Sequence, residues 1–148
     1  MPQIDPEKIA SYIREVAADK IIPRFQQLEQ HEISTKSGPT DLVTVADLEA
    51  EEELTRIFKD ILPGSHVVGE EAVSKKEIDM GLLRSESGHI WVIDPVDGTL
   101  NFANGDKKFG TIVALVKGGQ TVQGWILDIP NDRIAMAEQG AGVEVNGV

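Results

Sequence analysis

The sequence predicts an α+β fold, with two N-terminal helices packed on a largely antiparallel sheet. Three observations carry that expectation. Apolar residues recur at helical spacing in two segments of the N-terminal part. Beyond Asn101 the signal is all strand and turn, with Gly118-Gly119 between two β-rich runs. No internal repeat, low-complexity tract or interdomain linker divides the 148 residues, which amount to one domain's length and are 41% hydrophobic.

The elements follow in order. Asp5-Pro6-Glu7 supplies an N-cap, a proline at the first helical position and an early acid, followed by Ile9, Ile13, Val16 and Ala17 on one face. Pro23 falls inside the continuation of this helix and should kink or restart it before Phe25 and Leu28. The polar stretch "HEISTKSGPTD" at 31–41 reads as a short strand leading into a mobile loop. Thr44 and Asp47 have capping-box spacing, and Leu54, Ile57, Phe58 and Ile61 form one stripe before Pro63-Gly64, which predicts a helix over 45–62. A strand at 66–69 runs into "GEE", 74–88 is a polar excursion, and Ile90 to Ile93 form a buried strand. "TIVALVKGGQTVQGWIL" predicts a hairpin, and "RIAMAEQGAGVEVNG" a short strand, a glycine turn and another strand.

Bulk properties exclude several functions. A formal net charge of −11 repels a nucleic-acid backbone, and Lys75-Lys76 and Lys107-Lys108 are too short to make a basic patch. The absence of cysteine removes disulfides, thiolate metal sites and a cysteine nucleophile. No run of about eighteen apolar residues occurs, and the N-terminus lacks the layout of a signal peptide. The expectation is a cytoplasmic protein with neither nucleic acid nor membrane as partner.

The chemistry concentrates in "WVIDPVDGTLNF", residues 91–102. The residue before a proline is pushed away from helical angles, so Asp94 should close the strand and Asp97 should lie at the start of the next element. Gly98 lets the backbone approach a ligand, and if the chain turns helical from Leu100, the amides near Gly98 and Thr99 suit an anion. Two carboxylates beside an anion site make sense if hard cations such as Mg²⁺ lie between them and a phosphate. A plain type I turn, with Asp and Gly serving only turn chemistry, is the bland reading. An EF-hand loop fails because counting from Asp94 places Gly105 where the bidentate glutamate belongs. No phosphate-binding loop with its lysine and no Gly-x-Ser-x-Gly elbow is present.

"DPVDGTLNF", with "GEE" upstream and "KSGPTDLVTVAD" before it, resembles the inositol monophosphatase family among the Mg²⁺-dependent, lithium-sensitive phosphomonoesterases. The three motifs stand in the family's order at fitting separations, and the likeness extends from the first helix to "GAGVEVNG". It implies a layered α/β sandwich, homodimeric assembly and two or three Mg²⁺ ions per site. It implies Glu70 and Asp94 as metal ligands with Asp94 bridging two ions, Asp97 on the second ion, and the Val96 carbonyl completing the first. Glu71 becomes an outer ligand, the amides of Gly98 and Thr99 hold the phosphate, and the Thr99 hydroxyl with Asp47 orients the attacking water. Lys36 resembles a mobile lysine near the outermost metal. The implied reaction is hydrolysis of a small phosphate monoester, inositol monophosphate first. Histidinol phosphate, fructose 1,6-bisphosphate and 3′-phosphoadenosine nucleotides are the alternatives, and a non-catalytic module retaining the fold is the reading from another class.

Each assignment has a plainer counterpart. Asp47 also reads as the capping-box residue, Glu70-Glu71 as a solvated strand end, Thr99 as a helix cap and Lys36 as a solvated loop lysine. His31, His66 and His89 share no metal-site spacing, Asp128 reads as structural, and Trp91 and Trp125 as core. Family members continue into a second half with a Trp-Asp motif whose aspartate is a further ligand. Residues 1–148 are therefore expected to form the N-terminal metal-binding domain without that C-terminal half, and to be inactive in isolation.

Overall fold

The computed structural model describes residues 4–26, 33–35, 42–69 and 88–146. Helix α1 (Pro6–Val16) starts at Asp5, whose side chain accepts from the Glu7 amide at 3.0 Å, as the cap signature requires. It widens into a π-helical turn (Ala17–Ile21) and tightens into a 3₁₀ turn (Ile22–Arg24) around Pro23. A proline ring collides with the carbonyl four residues back, so the α ladder cannot run through it. Leu28, expected after this restart, lies outside the described residues.

Strands β1 (Ile33–Thr35) and β2 (Leu42–Thr44) pair antiparallel. The loop expected between them, with Lys36, lies outside the described residues. Helix α2 (Val45–Ile61) follows directly on β2, as the capping box requires. The main sheet comprises β3 (His66–Gly69), β4 (His89–Asp97), β5 (Gly110–Lys117), β6 (Gln120–Asp128), β7 (Arg133–Glu138) and β8 (Gly142–Val145), in that spatial order. All its pairings are antiparallel except β3 with β4, which run parallel. The hairpin expected at Gly118-Gly119 joins β5 to β6, and both glycines have positive φ (61° and 75°), as a tight turn matched to strand twist needs.

The core lies between this sheet and the helices. Phe58 of α2 stacks on Trp91 of β4 at 4.2 Å, and Trp125 of β6 sits 6.1 Å from Trp91 and donates its indole N–H to the Pro6 carbonyl. Among the described residues the opposite sheet face carries a small cluster, Val68, Ile90 and Val116 with Val92. Farther along the sheet, Ile126 and Val143 remain 55% and 67% exposed.

One expectation needs correction. Asp94 does not close its strand, because β4 continues to Asp97 through a bulge. Asp94 pairs with Ile112 and Asp97 with Gly110, so Pro95 and Val96 together oppose Thr111. A bulge is where an interior strand tolerates a residue without an N–H, and the Thr111 hydroxyl satisfies the Pro95 carbonyl at 2.8 Å. The extra residue also shifts the alternation. Trp91 and Ile93 face the core from odd positions, whereas beyond the bulge Val96 enters the core and Asp97 is exposed.

Candidate active site

Three elements converge at the end of β4: the first turn of α2, the bulge, and helix α3 (Thr99–Ala103). Thr44, extended at the N-cap of α2, donates its backbone N–H (2.9 Å) and its hydroxyl (2.5 Å) to Asp47 Oδ2. The Asp47 amide returns a 3.4 Å bond to Thr44 Oγ1. Asp47 Oδ2 thus serves the cap, while Oδ1 meets the Thr99 hydroxyl at 2.9 Å, across 52 positions of sequence. The same hydroxyl lies 2.8 Å from the Val96 carbonyl, so one proton is shared between two acceptors. The capping-box reading of Asp47 is correct as structure, and the contact with Thr99 exists beside it.

Asp47 is fully buried. Burial raises its pKa above the ordinary 3.8, opposed by hydrogen bonds from Thr44 and Thr99. The folded state therefore holds this proton more firmly than the unfolded chain does. The resulting stability is complete below the unfolded pKa and is lost as pH rises through the folded one. In metal-free protein, Asp47→Asn is expected to reduce the loss of stability that sets in as pH rises above the ordinary aspartate range, read by denaturant unfolding against pH.

Asp94 is half-buried on the last regular rung before the bulge, Val96 is buried, and Asp97 is exposed. Gly98 caps α3 with φ +86°, and a Cβ there would come within 2.6 Å of the Lys108 carbonyl. The close approach that demands glycine is thus made by the protein's own backbone. The α3 ladder begins with the Phe102 N–H on the Gly98 carbonyl at 3.0 Å, so the preceding amides lie outside it. Phe102 anchors the helix in a cluster with Phe25 (5.9 Å) and Phe109 (5.0 Å).

Asp94, the Val96 carbonyl, Asp97, Asp47 and Thr99 offer only oxygen donors, a set that fits a hard cation such as Mg²⁺. Among the described residues no three carboxylates or imidazoles form a metal cage, and Glu70, Glu71 and Lys36 lie outside them. Trp91 and Trp125 are core residues, as expected. Asp128 accepts from Asn131 at 2.9 Å in the turn after β6, a structural role, as expected. Sequence reasoning missed Glu51, buried one helical turn after Asp47, although that spacing was visible. No helix among the described residues is long and apolar enough to cross a membrane.

Comparison with known proteins agrees with this architecture. An inositol-1-monophosphatase of Bacillus subtilis is 34% identical over 114 residues, covering 77% of this chain and 41% of the relative. The Thermotoga maritima IMPase superposes with a TM-score of 0.81 at 25% identity, over 96% of this chain and 51% of that one. An IMPase/NADP phosphatase solved with Mg²⁺ and phosphate shares the fold, with a TM-score of 0.77 and 23% identity over 96% of this chain and 50% of that one. The chain thus spans about half or less of the length of these proteins. The family model for the inositol monophosphatase family matches residues 6–148, and the chain belongs to that family.

Proposed function

We propose that residues 1–148 carry the metal-binding half of a Mg²⁺-dependent phosphomonoesterase site whose substrate is a small phosphorylated alcohol, inositol monophosphate first. The observation that carries this reading is the Asp47–Thr99 hydrogen bond at the end of the bulged β4. Family membership and the Mg²⁺ and phosphate held by the related IMPase/NADP phosphatase support it.

Glu70, Asp94, Asp97 and the Val96 carbonyl would hold the ions, with Glu71 and Lys36 farther out. Bound there, paired divalent ions supply charge neutralisation on the phosphoryl oxygens and a water acidic enough to ionise near neutral pH. The chain's own residues do the positioning. When the Thr99 hydroxyl donates to Asp47 Oδ1, its lone pairs remain to accept a hydrogen from the attacking water and fix its orientation. Burial keeps the Asp47 carboxylate on that line, because Oδ2 is pinned by Thr44. The amides of Gly98 and Thr99 hold the phosphate oxygens at the start of α3. No protein nucleophile is needed, which agrees with the absence of cysteine.

A second half would complete the site with a further carboxylate and the surface for the alcohol, and the assembled protein would be a homodimer. A polypeptide of residues 1–148 is therefore expected to bind Mg²⁺ weakly at the second position and to release little phosphate. Its open sheet face, with Ile126 and Val143 exposed, should also promote self-association. Calorimetric Mg²⁺ titration, light scattering and phosphate release with a panel of inositol monophosphate, histidinol phosphate, fructose 1,6-bisphosphate and 3′-phosphoadenosine nucleotides test these points. Turnover by residues 1–148 at the rate of the longer protein would refute the division of the site. Silence of the longer protein toward the whole panel would refute the phosphatase reading.

A further inference from the structure

Thr111 stands where the pattern of β5 calls for an apolar side chain. It is 2% exposed and continues the core-facing row of Val113 and Leu115. A hydroxyl buried there is costly without a partner, and this one donates to the Pro95 carbonyl at 2.8 Å. The bond falls where the ladder of β4 is sparse. On the β3 side its pairing among the described residues ends with Ile93 on Gly69, and on the β5 side it skips from Asp94 opposite Ile112 to Asp97 opposite Gly110. Pro95, between those rungs, has no N–H to offer either neighbour. The Thr111 hydroxyl therefore ties the bulge to β5 midway between the two rungs. Gly110 adds to the same anchorage. A Cβ there would lie 2.3 Å from the Leu127 carbonyl oxygen, so the β5 backbone sits tight against β6 at the point where it receives the bulge.

We infer that Thr111 is a positioning residue for the oxygen donors that the bulge presents. A peptide group is planar, so a hydrogen bond that fixes the direction of the Pro95 carbonyl fixes the whole plane from Pro95 to Val96. Beyond that plane the Val96 side chain enters the core, and the Val96 carbonyl is held by the Thr99 hydroxyl at 2.8 Å. Consecutive carbonyls of the bulge thus each meet a threonine hydroxyl, one from within the sheet and one from α3. Without the Thr111 bond, the Pro95 carbonyl must turn toward another donor, because a buried carbonyl left unpaired is costly. Such a turn carries Val96 and Asp97 with it and leaves Asp94 in register on the rung before. The inference rests on the reading of Asp94, the Val96 carbonyl and Asp97 as metal ligands.

The test uses a protein that carries the second half completing the proposed site, with Thr111→Val, Thr111→Ala, Thr111→Ser, Val113→Ala and Asp94→Asn. Valine keeps the shape of threonine without the donor, alanine removes the donor in a smaller side chain should valine fail to fold, and serine keeps it. Val113→Ala empties core space farther along the same strand without touching the bulge, so it reports what lost stability alone does. Mn²⁺ binding is followed by electron paramagnetic resonance well below each variant's melting temperature, and phosphate release is measured against Mg²⁺ concentration. Groups that orient metal ligands typically change metal affinity about 10- to 100-fold when removed. Thr111→Val and Thr111→Ala should each weaken Mn²⁺ binding by about tenfold and raise the Mg²⁺ concentration that turnover needs in parallel. Thr111→Ser and Val113→Ala should stay within about threefold of the parent. If Thr111→Val and Thr111→Ala bind Mn²⁺ like the parent while Asp94→Asn does not, the positioning role is overturned and the ligand reading stands. Thr111→Ser or Val113→Ala weakened as far as Thr111→Val would overturn it as well, because the effect would then not follow the hydroxyl. If Asp94→Asn also binds like the parent, both fail.

Discussion

Asp94→Asn, in a protein that carries the second half completing the proposed site, is expected to abolish Mg²⁺-dependent phosphate release while leaving the fold intact. Asp94 occupies the last regular rung of β4, paired with Ile112, and asparagine has nearly the same shape, so the ladder and the bulge beyond it should persist. What changes is the charge. In the proposed site this carboxylate would help to hold the cations, so its loss would weaken their binding and leave the phosphoryl charge poorly balanced. Removing one electrostatic stabiliser of a transition state typically costs about 3–4 kcal/mol, and a shared ligand should cost at least as much. Steady-state assays beside thermal melts separate the outcomes. Activity above about a tenth of the parent's, a deficit under roughly 1.4 kcal/mol, would remove Asp94 from the proposed metal ligands.

Asp47→Asn and Thr99→Ala form the second large effect, and the structure makes them distinguishable. Asparagine has one acceptor oxygen where aspartate has two. If that oxygen stays with the two Thr44 donors, the amide NH₂ faces Thr99 and the bond reverses, so that Thr99 accepts where it had donated. One of its two lone pairs is then occupied and its proton is left to the Val96 carbonyl, so the hydroxyl no longer holds the water in the same orientation. A fall in kcat of about 100-fold or more with little change in KM is expected, because the orientation matters in the transition state. The capping bonds survive in this arrangement, so stability should change by no more than about 1 kcal/mol. Thr99→Ala deletes the hydroxyl without touching the Thr44 cap but takes a donor from the buried Asp47 Oδ1, so its kcat should fall and its stability should drop by about 1–3 kcal/mol. If Asp47→Asn lowers the melting temperature and leaves kcat alone, Asp47 is a helix cap and nothing more.

Helix starts, the hairpin and the buried strands were legible in the sequence because their causes are local. Asp5 caps α1, Thr44 and Asp47 cap α2, and Gly118-Gly119 turns β5 into β6, each within a few residues of its partner. The three motifs also gave the family resemblance, which the family match bears out. Tertiary structure decided what depends on distant chain. Only the folded sheet shows that β3 runs parallel to β4, that β4 passes Pro95 by a bulge, and that Thr111 satisfies the stranded carbonyl. Only there does Thr99 reach Asp47, and Glu51 claim the space over Gly69. The physical reason is one of range. Periodicity, capping and turn chemistry act over a few residues and leave their mark on the sequence, whereas close approach between distant segments is set by how the core packs, which no local pattern records.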